Sequence, residues 1–71
     1  MNAAALKAKI DDAKRRLLTA ETEMERALKQ IQDNTRNDKS IISSALSIAL
    51  TEMKAARQDL LALEQVIARD D

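Results

Sequence analysis

The sequence predicts an all-α fold: an antiparallel two-helix hairpin, a coiled coil with an Ala/Leu-layered seam that completes a helical bundle by oligomerisation or by binding a partner. Three observations predict it. First, the 71 residues contain no Gly and no Pro. The strongest helix breakers are absent, while Ala, Leu, Lys, Arg, Glu and Gln, all good helix formers, dominate. Second, apolar residues recur at alternating spacings of three and four in two long blocks, the pattern of a coiled-coil seam. Third, the only sustained polar stretch, Gln32 to Ser40, falls at the middle of the chain.

The first block predicts a helix over 3–34. Its a positions are Ala3, Ile10, Leu17, Met24 and Ile31, and its d positions are Leu6, Ala13, Ala20, Ala27 and then Asn34. A turn follows at about 35–37. Asn34, Asn37 and Asp38 favour it because their side chains compete for backbone hydrogen bonds. Asn37 or Asp38 can cap a second helix, placing acidic charge at its positive end. That helix is predicted over 38–69, with Leu46, Met53, Leu60 and Ile67 at a and Ile42, Ala49, Ala56 and Leu63 at d. The register slips by one residue across the polar stretch. A continuous helix would need a skip there, and a hairpin needs none.

Folding the chain at its middle gives a second regularity. Ala13 falls opposite Leu60, Ala20 opposite Met53, and Ala27 opposite Leu46. Leu17 meets Ala56, and Met24 meets Ala49. Large residues thus face alanines, which lets two helices approach closely and fill each layer. Ile31–Ile42 and Ile10–Leu63 are large pairs toward the two ends. The same fold brings Arg16 near Asp59, Lys14 near Glu64 and Glu21 near Arg57. Exposed pairs of this kind are worth only ~0.2–1 kcal/mol, so they bias register rather than hold the fold. Glu23 opposite Glu52 is a mismatch in this register.

More apolar surface remains than one hairpin can cover. Of its large apolar residues, helix one keeps only Leu18 and Leu28 outside its seam. Helix two carries a second stripe, Ile41, Ala45, Ile48, Ala55, Ala62 and Val66, with Leu50 and Leu61 on the other flank. Residues 40–51 contain no charged side chain. A helix apolar nearly all round is normally buried. These residues therefore form a candidate interface, either for copies of the chain in a four-helix bundle or for another protein's helix. Domains below roughly 70–80 residues often need such support, or disulfides or metals. With no Cys and no His, association is the support left.

Composition narrows the function. Without His, Cys or Gly there is no common base, no Cys/His metal site and no Gly-rich phosphate loop, so no enzyme and no cofactor is expected. The acid pairs Glu21/Glu25 and Asp11/Asp12 lie off the inward a and d positions that bundle metal sites use. Ser40, Ser43, Ser44, Ser47 and Thr51 read as the small polar side of helix two, and Met24 and Met53 as gap-filling core. Lys7, Lys9, Lys14, Arg15 and Arg16 could touch phosphate. However, Asp11–Arg15 and Asp12–Arg16 are spaced to pair along the helix, and there is no aromatic to stack a base. Twelve basic against twelve acidic residues leave no net charge, which argues against dedicated nucleic-acid binding. No segment approaches the ~20 apolar residues of a membrane span. The start, Met1-Asn2-Ala3-Ala4-Ala5-Leu6-Lys7, becomes charged too early for a secretory signal. A cytoplasmic chain is the expectation.

In length, hairpin layout and the seam alanines Ala13, Ala20, Ala49 and Ala56, the chain resembles the small helical-hairpin co-chaperones of type III secretion. That resemblance implies a cytoplasmic, non-enzymatic protein that helps to hold a needle subunit before export. The Ala–Leu layering also resembles the plasmid copy-number RNA-binding hairpin dimer, which implies RNA binding as an alternative. A purely structural coiled-coil scaffold is the third reading.

Overall fold

The computed structural model describes residues 2–70. Two helices make up nearly all of it, α1 (Ala3–Gln32) and α2 (Lys39–Asp70). A helix of this length is about 45 Å long. The described residues measure 53 × 14 × 14 Å, so the two helices must lie side by side. The architecture is an all-α helical hairpin. Among the described residues no helix is long and apolar enough to cross a membrane.

Local chemistry sets the helix ends. The Asn2 side-chain oxygen accepts a hydrogen bond from the Ala5 N–H at 2.8 Å, which satisfies one of the free donors at the start of α1. At the other end the Asp33 N–H donates to the Lys29 carbonyl at 3.2 Å and the Asn34 N–H to that of Ile31 at 3.1 Å. α1 therefore closes at Gln32 rather than at 34. Asn34 leaves the heptad pattern because its Oδ1 accepts the Arg36 N–H at 2.9 Å, a local turn bond that competes with continued helix. The Arg36 guanidinium then grips the Asp38 carboxylate with two bonds, 2.8 and 3.0 Å.

The turn therefore spans 33–38 rather than 35–37, and α2 opens at Lys39 rather than at 38. No described residue takes a positive φ, so the reversal needs no glycine. Asp38 holds the capping position through its backbone, its carbonyl accepting the Ile42 N–H at 3.1 Å. Its carboxylate is turned onto Arg36 instead of the helix N–H groups.

The seam of α1 is the predicted one. Ala3, Leu6, Ile10, Ala13, Leu17, Ala20, Met24, Ala27 and Ile31 are all buried or half-buried. In α2 the first half agrees, with Ile42, Leu46, Ala49 and Met53 half-buried. Beyond Met53 the inward line runs through Arg57, Leu60, Glu64 and Ile67, while Ala56 and Leu63 lie exposed. Two causes act together. A straight helix drifts ~20° per heptad against a strict seven-residue repeat. In addition, Arg57 and Glu64 each find an oppositely charged partner on α1, and Ala56 and Leu63 have no comparable pull inward. Leu63 is 43% exposed while Ile10 is 5% exposed, so the two are covered very unequally.

Candidate protein-docking surface

One flank of the hairpin is laced by charge. Arg57 donates to Glu21 through Nε at 2.7 Å and through Nη2 at 3.1 Å, a two-point geometry that fixes direction as well as distance. One heptad toward the open end, Lys14 pairs with Glu64. Stepping a heptad along α1 is thus matched by stepping a heptad back along α2, as an antiparallel register requires. Lys54 lies 3.9 Å from Glu25 further along. The hydrogen bonds from Arg57 hold the Glu21 carboxyl below its ordinary range, against burial, which pushes it up. The Glu64 carboxylate holds the Lys14 ammonium above its ordinary value in the same way.

Of the three cross-helix pairs expected, Arg16–Asp59 is not formed. Arg16 bonds instead to Asp12 on its own helix at 3.0 Å, with Arg15 also facing Asp12 at 3.7 Å. Asp11 turns to Lys14 at 3.5 Å rather than to Arg15. These local partners are favoured because residues three and four apart already neighbour each other on a helix, whereas Asp59 would have to be reached across the seam.

The expected interface residues separate into two groups. Leu28, Leu50 and Leu61 are half-buried. They flank the seam on the ion-paired side, partly covered within the hairpin. Leu18 is 51% exposed and lines a shallow open groove of about 390 Å³ with Leu61, Arg57, Asp11, Lys14 and Arg15. The second group is the outward strip of α2. Ile41 is 75% exposed and Ile48 60%. Ala45, Ala55 and Ala62 are exposed beside them, and Val66 ends the strip at 44%. Leu63, exposed at its edge, belongs to this surface rather than to the seam where the heptads place it.

The amount of bare surface is large for the mass. A compact monomer of 7.9 kDa exposes about 4,400 Å², and this chain exposes 5410 Å². The excess is on the order of one partner's share of a standard protein interface, ~800 Å². Among the described residues only Ile10 and Glu21 are buried, so most of the apolar side chains remain partly wet.

The cationic and acidic clusters are largely committed. Lys14, Arg15 and Arg16 face Asp11, Asp12 and Glu64. Of the acid pair Glu21/Glu25, one is held by Arg57 and the other lies near Lys54. The outward strip of α2 is largely apolar, convex and elongated, which suits contact with another helix. The chain matches no family model, no curated protein and no solved structure.

Proposed function

We propose that the chain is a non-enzymatic protein-interaction module, an adaptor or co-chaperone that shields the apolar face of an amphipathic helix against α2. The observation that carries this reading is the exposure of Ile41 and Ile48, at 75% and 60%, within the uncharged run 40–51. Single exposed aliphatics are ordinary, but an aligned strip of them marks an interaction site. The layout resemblance to type III secretion needle co-chaperones points to the same kind of work. RNA binding through Lys7, Lys14, Arg15 and Arg16 gains less support, because three of the four face carboxylates of the same chain.

The test is the pair Ile41→Asp with Ile48→Asp, made in the full chain. Both side chains point away from α1, so circular dichroism is expected to be unchanged. Affinity capture from an extract of the source organism, read by mass spectrometry, should lose whatever the unaltered chain retains. Retention of the same proteins by both forms would overturn the reading. Binding that weakens steeply with salt but ignores the substitutions would favour phosphate contacts instead.

A further inference from the structure

The strip of α2 is not uniformly apolar. Glu52 and Asp59, one heptad apart, sit within it between Ile48 and Val66, on the same side of the helix as Ala45 and Ala62. Both are exposed. Most acids of the chain have a cation close by, including Asp11, Asp12, Glu21, Glu23, Glu25, Asp38 and Glu64. Among the described residues no Lys or Arg is within ion-pair distance of Glu52 or Asp59. Two unpaired carboxylates thus stand in the middle of a surface whose ends are aliphatic.

This pattern discriminates between occupants. A second copy laid antiparallel and centred on the strip, with Ile41 against the copy's Val66, would bring Glu52 against the copy's Ala55 and Asp59 against its Ile48. Laid parallel, each acid would meet its own counterpart. The first arrangement buries carboxylates against apolar side chains with no counter-charge, and the second sets carboxylate against carboxylate; both disfavour the charged form. Sliding the copies off these registers uncovers Ile41 or Val66. A helix with basic residues at the matching heptad positions has no such conflict, and complementary charge there also fixes orientation.

We infer that the occupant of the strip is an amphipathic helix of a different protein, with an aliphatic stripe interrupted by two Lys or Arg one heptad apart. To run from Ile41 to Val66 it needs about 25 residues, or some 38 Å. This rests on the docking reading above and adds the chemistry of the partner.

The probes are two synthetic amphipathic peptides of that length with an identical Leu/Ala stripe, one carrying Lys and the other Glu at the two interrupting positions. Their binding to the full chain is measured by titration calorimetry. The Lys peptide should bind about tenfold or more tightly than the Glu peptide, since two close pairs change from attraction to repulsion. Glu52→Lys with Asp59→Lys should reverse that order. Both residues are exposed, and circular dichroism checks that the variant stays helical.

Equal binding of the two peptides, lost in Ile48→Asp, would overturn the charge inference and leave the docking reading standing. Binding of neither peptide would overturn both. A dimer by light scattering that Ile48→Asp dissociates would also overturn the inference, by placing a second copy on the strip.

Discussion

Arg57 reaches from α2 across the seam and takes both oxygens of Glu21, at 2.7 and 3.1 Å. Glu21 is only 2% exposed, more deeply buried than any aliphatic residue among the described residues, while the Arg57 side chain is 28% exposed. A desolvated charge is tolerated only while its partner is present, and removing one partner is more damaging than replacing both by apolar groups. The expected order of thermal stability follows. Arg57→Ala should destabilise the hairpin, because the Glu21 carboxylate loses both of its hydrogen bonds across the seam. Glu21→Leu combined with Arg57→Leu should recover most or all of the loss. Melting followed by circular dichroism decides it, with additive single effects refuting the coupling.

The same pair sets the response to pH. Arg57 keeps the folded-state Glu21 below the ordinary glutamate value of 4.5. Its contribution is therefore complete above that value and is lost as pH falls through the lower folded one. Lys14, raised above the ordinary lysine value of 10.5 by Glu64, contributes fully below it and is lost as pH rises further. With no histidine in the chain, denaturant midpoints should stay flat between these limbs. Glu21→Gln should flatten the acid limb but not abolish it, because Asp38 is also held low by Arg36. An acid limb as steep as that of the unaltered chain would contradict the assignment.

The hairpin was legible because its evidence is periodic. Nine apolar positions of α1, from Ala3 to Ile31, repeat on one face, and a pattern of that length survives small errors of phase. Lys14–Glu64 and Glu21–Arg57 were legible too, since opposite charges fell at matching heptad steps. Ala56 and Leu63 were misplaced for the complementary reason. A strict seven-residue count carries no term for helical drift, and a rule that places apolar residues inward cannot foresee Arg57 and Glu64 displacing them. The ends of α1 and α2 shifted because capping depends on which donor a short side chain selects. Asn34 chose the Arg36 N–H, and Asp38 was taken by the Arg36 side chain. The exposed strip of α2 was readable as apolar excess, while the division of that excess into Leu28, Leu50 and Leu61 on one flank and Ile41, Ile48 and Val66 outside required the packed structure.

Capping gives a third prediction. Asn2 is the cap of α1, through its 2.8 Å bond from the Ala5 N–H. Asn2→Ala should therefore cost about 1 kcal/mol and fray the first turn, which amide exchange at Ala5 and Leu6 would report. Asn37→Ala should have a much smaller effect, because no helix N–H is bonded to its side chain among the described residues. A larger loss from Asn37→Ala than from Asn2→Ala would mean that α2 is capped by a different arrangement.

The sharpest contrast lies at the open end of the hairpin. Ile10 is 5% exposed and Leu63 is 43% exposed, although a strict heptad count places them in one layer. If both packed together, truncating either would open the same cavity, and the two losses would be similar and non-additive. If instead the inward Glu64 beside Lys14 leaves Leu63 on the outer surface, where it is 43% exposed, Ile10 depends little on it. Ile10→Ala should then cost about 2–3 kcal/mol, toward the low end for a buried isoleucine because a thin hairpin can partly collapse around the gap. Leu63→Ala should stay within about 0.5 kcal/mol. Urea titrations of the two single variants and of the double variant separate the cases. Additive effects with a small Leu63 term support the register seen here, in which Leu63 belongs to the outer surface. A Leu63 loss as large as that of Ile10, shared in the double variant, would return Leu63 to the seam and require α2 to rotate.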